Sequence, residues 1–190
     1  MKIKNYKELA KTTARKIALE IAEAGLSAID TKTVINKNIR LEKKALFIKG
    51  YRISLKDINR IFVAGIGKCA FDAAAALEKV LGDRLSGGIA IDIKEPPAFK
   101  KIRAFKGTHP LPSKDNFKAS KELVKFLGEL GKNDLVIFIV SGGGSTLLYL
   151  PKDKNCVEES KIVESLFKAG APIQEINSVR KHLSLARGGF

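Results

Sequence analysis

The sequence has no tryptophan, one methionine, two cysteines, and 20 acidic against 35 basic residues. Cys69 and Cys156 lie far apart without the short spacings of a zinc site, so they predict reduced thiols rather than a disulfide. No apolar run approaches the roughly 18 residues that a membrane helix requires, and the polar start lacks the apolar core of a signal peptide. These absences predict a soluble, cytoplasmic protein with no membrane partner.

The shortage of acidic residues is concentrated in two zones. Residues 1–60 carry 15 basic and 6 acidic side chains, and residues 94–132 carry 10 and 4. The first basic residues share a predicted helix with Leu9 and Ile17, which is typical of the solvated face of an amphipathic helix. Because no exposed aromatics are interleaved with them and no nucleic-acid-binding motif is present, nucleic acid is not the expected partner. The charge favours anionic small molecules.

A chain of 190 residues with 45% hydrophobic content is long enough to bury a core. Three segments are apolar on both faces, as in parallel strands covered by helices: 61–64, 89–93 and 135–140. Helices are predicted between them over 68–81 and 113–130. Strictly alternating strands and helices predict an α/β fold with a doubly wound, mostly parallel, Rossmann-like sheet that has helices on both faces.

Further elements are predicted on either side of this core. A long helix over 4–25 and a strand pair over 45–48 and 51–54 precede it as an amino-terminal elaboration. Two helices follow it, over 157–168 and 173–182. No repeat, low-complexity tract or linker marks a second domain.

The first candidate site is the turn after the first core strand. Gly65 and Gly67 permit a tight turn, and the start of the next helix is expected to offer free N–H donors to an anion. Lys68 either adds its ammonium group to that site or is an ordinary surface lysine. With Ala70 and Asp92 the segment also fits a loose dinucleotide fingerprint, in which Asp92 would bind ribose. Lys68 does not belong to that fingerprint.

A second candidate is the glycine-rich turn after the most apolar strand. Consecutive glycines at this place suit a ligand that approaches the main chain closely, and two serines add hydroxyl groups. The alternative is a flexible connection to a helix over 146–150. Both turns follow parallel strands, so both are expected at one edge of the sheet. The residues of this turn are Ser141, Gly142, Gly143, Gly144 and Ser145.

Two further segments contribute candidates. His109 lies in a proline-rich loop and is either an acid or base in the crevice or a structural hydrogen-bonding residue. Asn177, Arg180 and Lys181 are three and four positions apart, which places them on one face of the last predicted helix. Two cations beside an amide can bind carboxylate or phosphate, although a solvated helix end fits the spacing equally well.

Four motifs in this order resemble the amino-terminal domain of the type 2 glycerate kinases, the glycerate 2-kinases of the MOFRL family. They are GIGKCA at 65–70, GTHPLPS at 107–113, SGGGST at 141–146 and INSVRKHLS at 176–184. The resemblance runs to Gly189, and the combination of motifs is more specific than any one of them. Cys69 and Thr146 are small departures, because the family usually has alanine at both positions.

The resemblance implies an enzyme that transfers the γ-phosphoryl group of ATP, with a divalent metal such as Mg²⁺, to a hydroxyl of D-glycerate. It implies a catalytic role for Lys68, the lysine of the family's glycine turn. The 141–145 turn would then bind an anionic ligand, while Asn177, Arg180 and Lys181 would line its rim. Which turn binds nucleotide and which binds glycerate stays open, and no metal ligand is assigned.

The resemblance also implies a second, carboxy-terminal domain that closes the cleft, so residues 1–190 would form only the amino-terminal domain. We therefore expect the chain alone to be inactive, and to be completed by a second chain or prone to self-association. A sugar-phosphate isomerase-like domain is an alternative, and phosphosugar binding without glycerate or ATP binding would favour it. A non-catalytic basic binding module or truncated remnant is another, and nucleic-acid retention in moderate salt would favour that one.

Overall fold

The computed structural model describes residues 1–152 and 156–188, apart from the side chains of residues 156 and 157. The chain forms two compact units, Met1–Lys56 and Asp57–Phe190. Cys69 is a free thiol. The side chain of Cys156, and Gly189 at the end of the sequence resemblance, lie outside the described residues.

The first unit consists of three helices followed by a small antiparallel sheet. Its elements are α1 (Tyr6–Leu9), α2 (Thr13–Ala28), α3 (Thr31–Asn38), β1 (Ile39–Glu42), β2 (Ala45–Ile48) and β3 (Tyr51–Ser54). The strands pair in the order β1-β2-β3. The predicted strand pair is confirmed, and its turn has positive φ at Lys49 (48°) and Gly50 (83°).

A single helix over 4–25 is the wrong prediction for the start of this unit. The chain leaves the helix after Leu9, and α2 begins anew with Thr12 as its cap. The Thr12 hydroxyl accepts a hydrogen bond from the backbone N–H of Arg15 at 3.3 Å. A side-chain oxygen in this position satisfies one of the free donors at a helix start, which explains the break.

The second unit is built on a parallel sheet with the strand order β6-β5-β4-β7. Its elements are β4 (Arg60–Ile66), α4 (Ala70–Leu81), β5 (Leu85–Asp92), β6 (Ile102–Lys106), α5 (Lys114–Gly128), β7 (Asp134–Val140), α6 (Gly144–Leu147), α7 (Cys156–Lys168) and α8 (Ile173–His182). Every pairing in this sheet is parallel, and the predicted α/β fold is confirmed. The helix expected from Lys68 begins two residues later, and the helix expected over 146–150 is α6.

Helices cover the two faces of this sheet. Ala64 and Ile66 of β4 pack with Ala119 and Leu123 of α5 in one buried cluster. Gly65 faces the other way, where a Cβ atom would lie 3.3 Å from that of Ala70 at the start of α4. Truncating a fully buried leucine to alanine in such a core lowers the free energy of unfolding by about 2–5 kcal/mol. This packing therefore holds in place the strand ends that carry the candidate site.

The outer strand β7 differs from its prediction as a strand buried on both faces. Phe138 is 52% exposed and Val140 is 72% exposed, while Ile137 between them is buried. The reason is that β7 lies at the edge of the sheet: on this face Val136 packs against the buried cluster that includes α5, whereas Phe138 and Val140 remain exposed. A strand with apolar side chains on both faces is therefore not always buried on both faces in this unit.

The chain returns from α8 to the segment that precedes α7. Leu185 N–H donates to the Leu150 carbonyl at 2.8 Å, and Lys152 N–H donates to the Leu183 carbonyl at 3.0 Å. These bonds tie both ends of the α7–α8 hairpin together beside α6. None of the helices over residues 1–152 and 156–188 is long and apolar enough to cross a membrane.

Candidate functional site

The two glycine turns meet at one edge of the parallel sheet, as predicted. Strands β4 and β7 are neighbours, with Ile66 opposite Val140 at their carboxyl ends. Ser141 N–H donates to the Ile66 carbonyl at 2.9 Å, and Lys68 N–H donates to the Gly142 carbonyl at 2.9 Å. The turns are therefore held together by backbone hydrogen bonds in both directions.

The contact between the turns explains why Gly67 is glycine. Its φ is +128°, and a Cβ atom there would lie 2.1 Å from Ser141 Oγ and 2.7 Å from the Ser141 carbonyl oxygen. Both the conformation and the space exclude a side chain. The role of this glycine is to let the two turns touch.

The expectation that the first turn offers free N–H donors is wrong. The Gly67 N–H donates to the Ile91 carbonyl at 3.0 Å, and the Ala70 N–H to the Gly67 carbonyl at 3.0 Å. The Cys69 N–H donates to Ser141 Oγ at 3.3 Å. Since the amide of Lys68 is also paired, the main chain of this turn has no donor left for a ligand. An anion at this turn depends on the Lys68 ammonium.

Asp92 is the main reason why the start of α4 is closed. Its side chain is completely buried, and it accepts hydrogen bonds from the N–H of Phe71 at 3.1 Å, Ile93 at 2.7 Å and Lys94 at 3.3 Å. The carboxylate thus occupies the positive end of the helix, where an external anion was expected. The ribose-binding role considered for Asp92 is wrong, because no part of this carboxylate is free.

The second turn has the properties that the first lacks. Gly143 has a left-handed backbone (φ +84°), and a Cβ atom there would lie 3.0 Å from His109 Cδ2 and 3.2 Å from Lys68 Cε. Lys68 and His109 therefore lie over this glycine. The N–H groups of Gly142, Gly143 and Ser145 have no acceptor among the described residues. Lys68 itself is exposed and forms no ion pair within the described parts of the chain.

His109 is placed by a polar anchor that the sequence analysis did not identify. Asn116 is fully buried; its side-chain oxygen accepts from Thr108 N–H at 2.8 Å, and its amide donates to the Thr146 carbonyl at 3.0 Å. Thr146 in turn donates to the carbonyl of Pro110, which follows a cis peptide bond. The signal for this anchor was the capping box that opens α5 with Ser113 and Asn116.

The crevice is electrostatically positive. Burial lowers the pKa of His109, and the charges of Lys68 and Arg180 lower it further. The charge of Arg180 in α8 thus acts on the same imidazole as the charge of Lys68 in the first glycine turn. Among the described residues no group of three or more histidine, cysteine, aspartate or glutamate side chains could hold a metal ion.

A small cavity of about 260 Å³ lies between the second turn and α8. It is lined by Ser145, Asn177, Arg180, Lys181 and Arg187. The three predicted residues of α8 are thus brought together with Ser145, although only Arg180 of the three is buried. Arg187 was not identified from the sequence, because it lies beyond the helix whose spacing indicated the other cations.

Comparison with known proteins defines the family. Residues 17–190 match the family described as Domain of unknown function (DUF4147). The chain belongs to this family. It is 30% identical over 177 residues to the glycerate 2-kinase of Pyrococcus horikoshii, and the aligned part covers 92% of the chain and 39% of the relative. It is 33% identical over 190 residues to the glycerate 2-kinase of Picrophilus torridus, which covers 98% of the chain and 43% of the relative.

The fold of this DUF4147 chain also has a match among solved structures. The crystal structure of the PH0495 protein from Pyrococcus horikoshii superposes with a TM-score of 0.81 at 28% identity, covering 91% of the chain and 39% of that protein. The resemblance to the amino-terminal part of the glycerate 2-kinases is confirmed. The chain spans about two fifths of the length of these relatives.

Proposed function

We propose that this chain provides the anion-binding half of a kinase that transfers the γ-phosphoryl group of ATP to a hydroxyl of D-glycerate. One observation carries the proposal most directly: Lys68 lies over Gly143, beside a turn in which three amides have no acceptor among the described residues. Both partners of such a transfer are anions, and the names of the relatives supply the acceptor.

The chemistry asks for positioning and charge neutralisation more than for covalent participation of the protein. In the proposed reaction the Lys68 ammonium neutralises charge that builds up on the transferring phosphoryl group. The N–H groups of Gly142, Gly143 and Ser145 orient its oxygens. Fixed donors of this kind need no reorganisation during the reaction, and losing one typically costs about a hundredfold or more in rate.

The described residues contain no group of three or more metal-binding side chains, so a Mg²⁺ ion in the proposed reaction would be held mainly by the phosphates of ATP. Mg²⁺ prefers carboxylate oxygens together with substrate phosphates, and the buried carboxylate nearest the turns, that of Asp92, is used to cap α4. We therefore assign no residue of this chain to a metal, and no step above depends on one.

The site is open on one side. Lys68, His109 and Gly142 are exposed, so these residues alone do not exclude water from a transferring phosphoryl group. We propose that a further domain, such as the part of the relatives that this chain does not span, closes the site, supplied by a second chain or by self-association. Turnover by the 190 residues alone is expected to be negligible.

The test is a complementation assay. The chain is incubated with ATP, Mg²⁺ and D-glycerate, alone and with the carboxy-terminal three fifths of the Pyrococcus horikoshii relative, and phosphoglycerate is followed by ³¹P NMR. We expect product only in the mixture. Ordinary turnover by the chain alone would contradict the one-sided site. A well-folded mixture that binds a phosphosugar, but neither ATP nor glycerate, would contradict the kinase.

A further inference from the structure

The cavity between the second glycine turn and α8 contains a charged group without a counterion. Arg180 is only 8% exposed, yet its guanidinium makes no hydrogen bond or ion pair with any residue in 1–152 or 156–188. Buried charges are normally paired, because an isolated one loses its hydration without compensation. Burial, followed by the charge of Arg187, lowers the pKa of Arg180, and the charge of Glu159 opposes this shift. The donors of the Arg180 guanidinium are therefore available to an anion in the cavity.

Arg187 lines the same cavity, but most of its bonding capacity is committed to the protein. Its Nε donates to the Leu148 carbonyl at 3.0 Å, its Nη1 pairs with the buried Glu159, and its guanidinium lies 5.4 Å from the centre of the Tyr149 ring. Its Nη2 is buried and has no acceptor among the described residues. Glu159 is bonded to Arg187 through one oxygen; its charge also acts on Arg180, but it forms no ion pair with Arg180.

The size and lining of the cavity limit which anions can bind in it. Cavities for nucleotide-sized ligands measure about 300–1,000 Å³, and this one is smaller at about 260 Å³. A guanidinium presents two parallel donors that match the two oxygens of a carboxylate. The Ser145 hydroxyl and the Asn177 amide suit neighbouring alcohol groups, which a hydroxy acid carries and a simple inorganic ion does not.

We propose that this cavity binds the carboxylate of the acceptor hydroxy acid, with Arg180 as its counter-charge. The assignment rests on the proposed kinase function. It adds that the acceptor and the transferred phosphoryl group bind at different parts of the site. The carboxylate end of the acceptor occupies the α8 side, and its reacting hydroxyl points toward Lys68 and Gly143, where the phosphoryl group is transferred. Ser145 lines the cavity and lies two residues from Gly143, over which Lys68 lies, so the two halves of the site adjoin at the second turn.

Titration of the ¹⁵N-labelled 190-residue chain tests the proposal, with D-glycerate, glycerol and inorganic phosphate as separate probes. D-glycerate is expected to perturb the amides around Ser145 and α8, whereas glycerol, which has the hydroxyls without the carboxylate, is not. Arg180→Gln is expected to weaken D-glycerate binding about tenfold or more. The matched control Lys161→Gln removes an exposed cation of α7 that does not line the cavity, and it is expected to bind like the unmodified chain.

Each contrary outcome overturns the proposal. Absence of D-glycerate binding, equal binding of glycerol, or a loss in Arg180→Gln confined to inorganic phosphate would each remove the carboxylate assignment. A thermal unfolding scan adds a second measurement, because removing an unpaired buried charge should leave the midpoint unchanged or raise it. A clearly lower midpoint for both Arg180→Gln and Arg180→Lys would show that Arg180 is a structural residue instead.

The complementation assay separates this proposal from the kinase function. If D-glycerate binding depends on Arg180 but the complemented chain forms no phosphoglycerate, the carboxylate site stands and the kinase assignment fails. If phosphoglycerate forms and Arg180→Gln leaves the KM for D-glycerate unchanged, the kinase assignment stands and the carboxylate site fails. The KM for ATP is expected to stay the same in that variant.

Discussion

The carboxylate of Asp92 accepts a hydrogen bond from the backbone amide of Phe71 at 3.1 Å, so the end of β5 caps the start of α4. An acidic residue of the protein thereby takes the place at which a bound anion was predicted. The consequence reaches the whole candidate site, because the groups that remain available to an anion are the Lys68 side chain and the amides of the second turn.

Asp92→Ala is expected to lower the free energy of unfolding by about 2 kcal/mol, because it leaves three N–H groups without an acceptor, of which that of Phe71 is buried. Urea denaturation measures the change. Asp83→Ala removes an exposed carboxylate at the other end of α4 and is the control, expected to be nearly neutral. Equal midpoints for the two variants would refute the capping role.

The two turns offer a matched pair of glycine substitutions. Gly67→Ala is expected to cost about 2 kcal/mol or more, since it combines an unfavourable positive φ with a clash against the main chain of Ser141. Gly142→Ala meets no atom within 4 Å and is expected to change stability by less than about 0.5 kcal/mol. Thermal unfolding of both variants checks the difference, and similar losses would contradict the close approach of the turns.

His109 makes the site sensitive to pH. Its pKa in the folded protein is lowered, so the folded state holds this proton less tightly than the unfolded chain does. The free energy of unfolding should therefore decrease as the pH falls through the ordinary histidine pKa, and a bound anion should raise the pKa of His109. Urea denaturation at several pH values measures the first effect, and imidazole titration by NMR measures the second.

A pair of lysine variants controls that titration. Lys68→Met removes a positive charge that lowers the pKa of His109, so it should raise that pKa. Lys100→Met removes an exposed lysine that does not act on His109 and should leave the titration unchanged. If neither variant alters the imidazole titration, the proximity of Lys68 and His109 is refuted.

Lys68→Ala is expected to lower kcat in the complemented assay by about a hundredfold or more, with a smaller effect on the KM for D-glycerate. The ammonium is proposed to act mainly when charge builds up during transfer. Lys100→Ala serves as the control, because it removes a positive charge remote from the glycine turns. A Lys68→Ala variant with ordinary turnover would exclude a catalytic role for this residue.

The sequence predicted those elements whose patterns are local. The β4, β5 and β7 strands show continuous apolar runs, and α5 has a serine cap, so their types could be assigned without coordinates. Strand β6 was missed because its five residues, Ile102–Lys106, form neither a continuous apolar run nor a regular alternation. The break before α2 was missed because the amphipathic pattern continues across it.

The site was predictable in its location but not in its hydrogen bonding. The positions of both glycine turns follow from strand order, since the carboxyl ends of neighbouring parallel strands meet. The amides of the first turn are closed by Ile91, Ser141 and Gly142, and that of Phe71 by Asp92. These partners are distant in sequence from Lys68 and are identifiable only from coordinates. Arg187 was missed for a similar reason, because it reaches the cavity only through the return of the chain along the segment before α7.

That return has a consequence for diversity among related proteins. The backbones of Leu150 and Leu185 are hydrogen-bonded at the base of the α7–α8 hairpin. The hairpin therefore leaves the rest of the unit and returns to it at one place. Asn177, Arg180 and Lys181 lie on this hairpin, while Lys68 and Gly143 lie in the turns that follow strands β4 and β7. Under the proposed division of the site, exchange of this hairpin is expected to change acceptor preference while Lys68 and Gly143 stay in place.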